Sequence, residues 1–261
     1  MGVHQKIDRV ARRRIKPYLP EGVNFPTIKQ ILHYEGLNGP DGIKRKSPAK
    51  DEPWHYVDPH NPKDTALYDM IDEHINNMAS ALRSGEMQRA AFEAAWMSHA
   101  ITDGLTPPHH YPLAKKLEQL RGGLPLETRT TTKDKLLLPG DTRFKQLANN
   151  WEYWGSKGVM TTHIGFELGV ALAISTSSLN RHQFSEVDII ALETTSFREI
   201  YKKFVTRVDN MHMFNNYKKD GWTKSLATQA RQELVPLIIR AVDLGWYSAV
   251  IKSQAKFIDA S

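Results

Sequence analysis

Apolar residues recur along this chain three and four positions apart, and no stretch alternates apolar with polar residues over a strand's length. Ile7, Val10, Ala11 and Ile15 give residues 4–16 one apolar face, a basic amphipathic helix that Pro17 must end. Leu67, Met70, Ile71, His74, Ile75, Met78 and Leu82 form a second stripe, with Asp64 as its N-cap and a stop at Ser84-Gly85. His74 reads as a core-edge histidine within it. Residues 86–103 carry Met87, Ala90, Ala91, Ala94, Ala95 and Met97, side chains small enough for close packing at the centre of the molecule. A short helix is expected at 113–120, surface loop at 121–134, and a helix within 141–158 that holds Trp151, Tyr153 and Trp154 and ends at Gly155 or Gly158. Residues 161–178 read as a strongly apolar helix, and 185–214 and 224–257 as two long ones, the last kinked at Pro236. The fold class expected is all-α.

Between Pro17 and Pro62 the pattern breaks. Eight prolines and Gly22, Gly36, Gly39 and Gly42 make this irregular chain, apart from a turn of helix at 27–33. So long a loop is functional more often than idle, and this one carries Asp41, His55 and Asp58. No Pro/Ser/Gly-rich linker divides the 261 residues, so one domain over 1–261 is expected. The absence of cysteine rules out disulfides and thiolate metal sites, which leaves His, Asp, Glu, backbone and water as metal ligands. A net charge of +6 suits an anionic partner such as phosphate, a phospholipid head group or nucleic acid. Arg12, Arg13 and Arg14 read as the solvated face of the first helix. The first nineteen residues lack the apolar core of a secretory signal, and no run of about 18 uncharged apolar residues occurs. The chain as written is therefore expected to be soluble and unexported, without a transmembrane segment.

The chemistry-bearing stretch is W-M-S-H-A-I-T-D-G-L-T-P-P-H-H-Y-P at 96–112. His99 and Asp103 stand one helical turn apart on the same face, so an imidazole and a carboxylate can grip one metal ion. Gly104 and Pro107-Pro108 then end the helix and turn the chain, bringing His109 back as a third ligand. His163 and Glu167 repeat the four-residue spacing inside the most apolar helix, where two ionisable groups are costly unless paired or metal-bound.

Taken in order, His4, Asp41, His55, His99, Asp103, His109, His163 and Glu167 resemble the ligand series of the bacterial zinc-dependent phospholipase C family. They resemble more distantly that of the fungal single-strand nucleases. P-W-H-Y-V-D-P-H-N at 53–61 is similar to the family's histidine followed by an aromatic and Asp-Pro, and H-A-I-T-D-G-L-T-P-P-H-H at 99–110 to its H-x3-D-x5-H signature. Asp41 precedes His55 by fourteen residues, a similar spacing, and Glu167 matches the phospholipases where the nucleases tend to use Asp. The resemblance implies an all-α fold whose cleft holds two or three zinc ions. Asp41, His55, His99 and Asp103 are implied to bind one, and His109, His163 and Glu167 a second. Asp103 would bridge to a third held by His4 with the N-terminal amine and carbonyl. It also implies hydrolysis of a phosphodiester by a metal-activated water, with Asp41 as the residue that orients or deprotonates that water. The substrate expected is a phospholipid or head-group ester, reached by transient contact with a membrane surface. Nucleic acid is the alternative, with Trp151, Tyr153 and Trp154 as stacking candidates. A third possibility is a helical metalloprotein whose ligands only staple the fold. Three departures stand out: the segment 111–160 is longer than the family's, as expected of an insertion, a lid or a different substrate pocket, Met1 or Gly2 stands where the family has a mature N-terminal Trp, and residues 180–261 are similar to the family only in helical character.

Overall fold

The computed structural model describes residues 2–42, 55–179 and 184–255, and every regular element among them is helical. The expected all-α class holds. Met1, the Pro53-Trp54 start of the second motif, and Lys256 and Phe257 at the end of the last helix lie outside the described residues.

The first helix, α1 (Val3–Ile15), buries Ile7, Val10, Ala11 and Ile15 and runs into a 3₁₀ turn at Lys16–Tyr18 where proline stops the ladder. Its arginines are not a solvated face: Arg12 Nε donates to Pro26 O at 2.7 Å, and Arg14 donates to the Leu179 carbonyl. Of Arg12, Arg13 and Arg14, only Arg13 is exposed. Helix α2 (Ile28–His33) starts at a capping box of Thr27 and Gln30. In α3 (Ala66–Ser84) the cap is Thr65 and not Asp64, whose carboxylate instead accepts the Asp58 N–H at 2.8 Å. Gly85, at φ 75°, closes α3 in the left-handed conformation.

Helix α4 (Met87–Gly104) is the axis of the molecule, buried nearly all round against α1, α2, α3 and α13 (Val235–Gln254). Its alanines let neighbours approach: Trp246 Nε1 donates to Ala94 O at 2.9 Å. Gly245 does the same from α13, where a Cβ would stand 2.7 Å from Ile101 Cδ1. Pro236 lies in the first turn of α13, and a π-helical turn at Ala230–Leu234 joins α13 to α12 (Lys224–Gln229), so the missing amide is absorbed as a π turn. The run Lys224–Gln254 is long and apolar enough to cross a membrane by length and composition, yet 89 % of its apolar window is buried inside the protein.

Beyond α4, a 3₁₀ turn (Pro107–His110) leads to α5 (Leu113–Leu120), α6 (Thr132–Leu136), α7 (Arg143–Trp154) and α8 (Val159–Ile174). Residues 121–134 are not plain surface loop. Arg121 is buried, donating to Leu124 O, Pro125 O and Thr128 Oγ1, and buried Arg129 donates to Lys135 O. Leu113, Leu117, Leu120, Leu138 and Tyr153 form a small core of their own, separate from the main one. The single helix expected at 185–214 is three: α9 (Glu186–Thr194), α10 (Phe197–Asp209) and α11 (Met213–Asp220). Ser196 caps α10 by accepting the Glu199 N–H, and His212 takes φ 51°, so each break has a local hydrogen-bonding or conformational cause.

Candidate metal centre

Helix α4 presents His99 and Asp103 from its buried C-terminal turns. The proline turn then places His109, and two backbone-level contacts fix it against the 55–57 segment: His109 Nδ1 donates to His55 O at 3.1 Å and the Val57 N–H donates to His109 O at 3.1 Å. Two candidate ligand segments are thereby pinned together. Helix α1 delivers His4, whose ring stacks on His99 with centroids 4.0 Å apart, and α8 delivers His163 and Glu167.

Asp103 is the hub. One oxygen faces His4 Nε2 at 3.3 Å, and the other faces His55 Nδ1 at 2.9 Å and His99 Nε2 at 3.3 Å. On the far side, a single oxygen of Glu167 meets both His109 Nε2 at 3.2 Å and His163 Nε2 at 3.0 Å. Tyr56 stacks on His109 at 4.6 Å and shields that group. Asp41 lies in a helical turn at 40–42 on the rim, its Oδ1 3.9 Å from His99 Nε2 and its side chain 60 % exposed. Asp58 is not at the centre; its carboxylate accepts the His60 N–H and shapes the following turn.

Two acids at the centre are absent from the expected ligand series. Glu35, buried in the turn after α2, accepts His99 Nδ1 at 3.0 Å, with Gly36 at φ 64° bending the chain behind it. Asp8, one turn after His4 on α1, is also buried, and neither of its oxygens has a hydrogen-bond partner. Its signal was available: His4 and Asp8 repeat the His-x3-Asp spacing of His99 and Asp103. Glu35 carried none, because only the packing of α2 on α4 brings it to His99.

The charges are strongly coupled. Burial opposes ionisation of Asp103, but the imidazoles of His99, His109 and His4 overcome it and hold the carboxyl well below its ordinary range. Burial likewise opposes protonation of His99, yet Asp103 and Glu35 hold it well above the usual histidine value. Glu167 is held at about 2: burial pushes it up, and hydrogen bonds from His109 and His163 outweigh that. Asp8 goes the other way, pushed up to about 8 by burial and then by Glu35.

The donor set fits a cation. A carboxylate oxygen only accepts, so His99 Nδ1 carries the hydrogen donated to Glu35; its Nε2 is buried, without a hydrogen-bond partner, and directed to the Asp103 side. His109 repeats the pattern, with Nδ1 spent on a backbone carbonyl and Nε2 facing Glu167. Orienting one imidazole nitrogen by a carboxylate or carbonyl leaves the other as the metal-binding atom. Three groups of ligand atoms lie within 4.8 Å of one another: His4, Glu35 and His99; His55, His99 and Asp103; and His109, His163 and Glu167. These buried groups can hold metal ions, and the absence of cysteine restricts them to nitrogen and oxygen ligation. Of the residues implied to hold a third ion, His4 is at the centre, and Met1 lies outside the described residues. No protein-family model, no curated protein and no solved structure matches this chain.

Proposed function

We propose that this protein is a zinc-dependent phosphodiester hydrolase of the phospholipase C type, acting on a phospholipid or head-group ester. The observation that carries the reading is the meeting of three imidazoles on the two oxygens of buried Asp103, beside a second group in which two imidazoles share one oxygen of Glu167. Zinc bound to such neighbouring groups supplies charge neutralisation of the diester and a water whose pKa falls to about 7. His55, His99 and Asp103 would hold one ion and His109, His163 and Glu167 another, while Asp41 on the rim accepts the proton of the attacking water. Glu35 sets the tautomer of His99 and acts as a positioning residue.

A stapling metal site is closed, whereas here Glu167 is 41 % exposed and Asp41 more so. A pocket of about 190 Å³ opens beside His163, with Lys157 and Lys218 to meet an anionic diester and Phe214 and Leu113 to meet apolar groups. The surface next to it favours a lipid. Ile164 and Leu168, each directly following a candidate ligand, continue to Leu172 as an exposed stripe on α8. Phe144, Leu147 and Trp151 form a second on α7, and Trp151 is 72 % exposed. Arg143, Lys145 and Lys157 are exposed among them. An apolar stripe with basic neighbours is suited to the interface of a phospholipid bilayer. The single-strand nuclease reading draws on Tyr111 and Phe214, aromatic walls of the same pocket on which a base could stack. Tyr153, in contrast, is consumed by packing in the small core.

Assay of the zinc-loaded protein on phospholipid vesicles and on single-stranded DNA separates these readings. The expected result is release of a phosphorylated head group and diacylglycerol, abolished by chelator and restored by zinc. Cleavage of DNA with inert vesicles would transfer the assignment to the nucleases, and no hydrolysis of either substrate would refute the enzymatic reading.

A further inference from the structure

On the other face of the proline turn lies a second cluster of chemistry-bearing side chains that the centre above does not use. His110 follows the candidate ligand His109, but its ring points into a separate pocket of about 170 Å³ lined also by His60, Asp209, His212 and Phe214. Its side chain is only 6 % exposed. His110 Nε2 lies 2.9 Å from Gly104 O, and a carbonyl can only accept, so the ring hydrogen is on Nε2 and Nδ1 offers a lone pair. That buried Nδ1 has no hydrogen-bond partner and faces Asp209 Oδ1 at 3.9 Å. The other oxygen of Asp209 meets His60 Nε2 at 3.1 Å. His212 is set on the pocket wall by its left-handed φ of 51°.

Two electron-rich atoms facing each other across 3.9 Å ask for a cation between them. Ligands at about 2.1 Å from one tetrahedral ion stand roughly 3.4 Å apart, so closing the His110–Asp209 gap takes a shift of about half an ångström, available to a half-buried Asp209. His60, 79 % exposed and outside 4.8 Å of the other two ligand atoms taken together, has to swing in to complete the set. A backbone carbonyl gripping the non-ligating ring nitrogen is the usual outer partner of a metal-binding histidine. We propose that His110, Asp209 and His60 form a separate site for a divalent transition-metal ion, with His212 at its rim. Two imidazoles and a carboxylate select zinc, cobalt or nickel over calcium or magnesium, which prefer all-oxygen cages. The site ties the 55–64 segment to the end of α10 and the start of α11. Helix α11 also carries Phe214 and Lys218, which line both this pocket and the one beside His163.

Cobalt titration of chelator-stripped protein, followed by visible absorption and calorimetry, tests the site in wild type, His60→Ala and Asp209→Asn. His60 is 79 % exposed and Asn is isosteric with Asp, so both variants keep the fold. Wild type is expected to bind one more cobalt ion than either variant, or to bind that ion at least about tenfold more tightly. The same ion is expected to persist in Glu167→Gln, which weakens only the His109, His163 and Glu167 group of the first centre, so loss of an ion there does not mask the separate site. Equal cobalt stoichiometry and affinity within twofold across wild type, His60→Ala and Asp209→Asn would overturn the proposal.

Discussion

Asp103→Asn is expected to strip metal from the centre and lower phosphodiester hydrolysis by two to four powers of ten while the fold survives. The amide keeps the shape of the carboxylate but removes the one negative charge that His4, His55 and His99 share. A bound metal ion supplies several kcal/mol of transition-state charge stabilisation, so losing about 3–5 kcal/mol of it with the ion lowers the rate accordingly, each 1.36 kcal/mol being tenfold. The same acid governs pH dependence. In the metal-free protein Asp103 and Glu35 hold His99 protonated well above the usual histidine range, so a metal ion has to displace that proton. Metal affinity is therefore expected to rise with pH, less steeply in Asp103→Asn, where His99 loses its strongest reason to stay charged. Zinc content by elemental analysis with parallel turnover measurements checks both points. A variant that keeps full zinc and full activity would remove Asp103 from its place at the hub.

The second large effect is on stability and runs against helix propensity. Ala is favoured over Gly in a helix by about 1 kcal/mol, yet Gly104→Ala is expected to destabilise the protein by a net of about 1–3 kcal/mol. A Cβ at position 104 falls on the Leu67 side chain and on the Tyr201 hydroxyl, both fully buried. Overpacking costs about 1–3 kcal/mol, and displacing Tyr201 breaks its 3.0 Å hydrogen bond to Ile101 O, worth about 1 kcal/mol more. The backbone that shifts carries Asp103 on one side and the Gly104 carbonyl held by His110 on the other. Urea denaturation of wild type and Gly104→Ala measures the difference, and a variant as stable as wild type would show that α3 and α10 can yield without loss.

What could be read from the sequence is what repeats locally. The four-residue spacings of His99 with Asp103 and of His163 with Glu167 are one helical turn, and Gly104 with Pro107-Pro108 mark where α4 must end; all of this needs only local geometry. The apolar stripes of α1, α3 and α4 gave their helices for the same reason. What was not legible depends on chain segments meeting. Glu35 reaches His99 only because α2 packs on α4. Arg121 and Arg129 look solvated in sequence but serve as hydrogen-bond donors that fold the 121–135 segment on itself. The apolar rows of 185–214 continue across Ser196 and His212, so periodicity alone hides two breaks set by a cap and by a left-handed residue. Pro236 announced a distortion, and the π turn that absorbs it is a backbone solution that residue types do not spell out.

The central claim is that the buried His and carboxylate groups are a metal centre. The most direct measurement is the metal content, by elemental analysis, of protein purified without chelator, alongside His99→Ala and Glu167→Ala. At least two zinc ions per chain are expected in the wild type, in keeping with the three ligand groups, with losses in both variants and folded protein throughout by circular dichroism. A metal-free wild type that stays folded, takes up no zinc on titration and is indistinguishable from His99→Ala would contradict it.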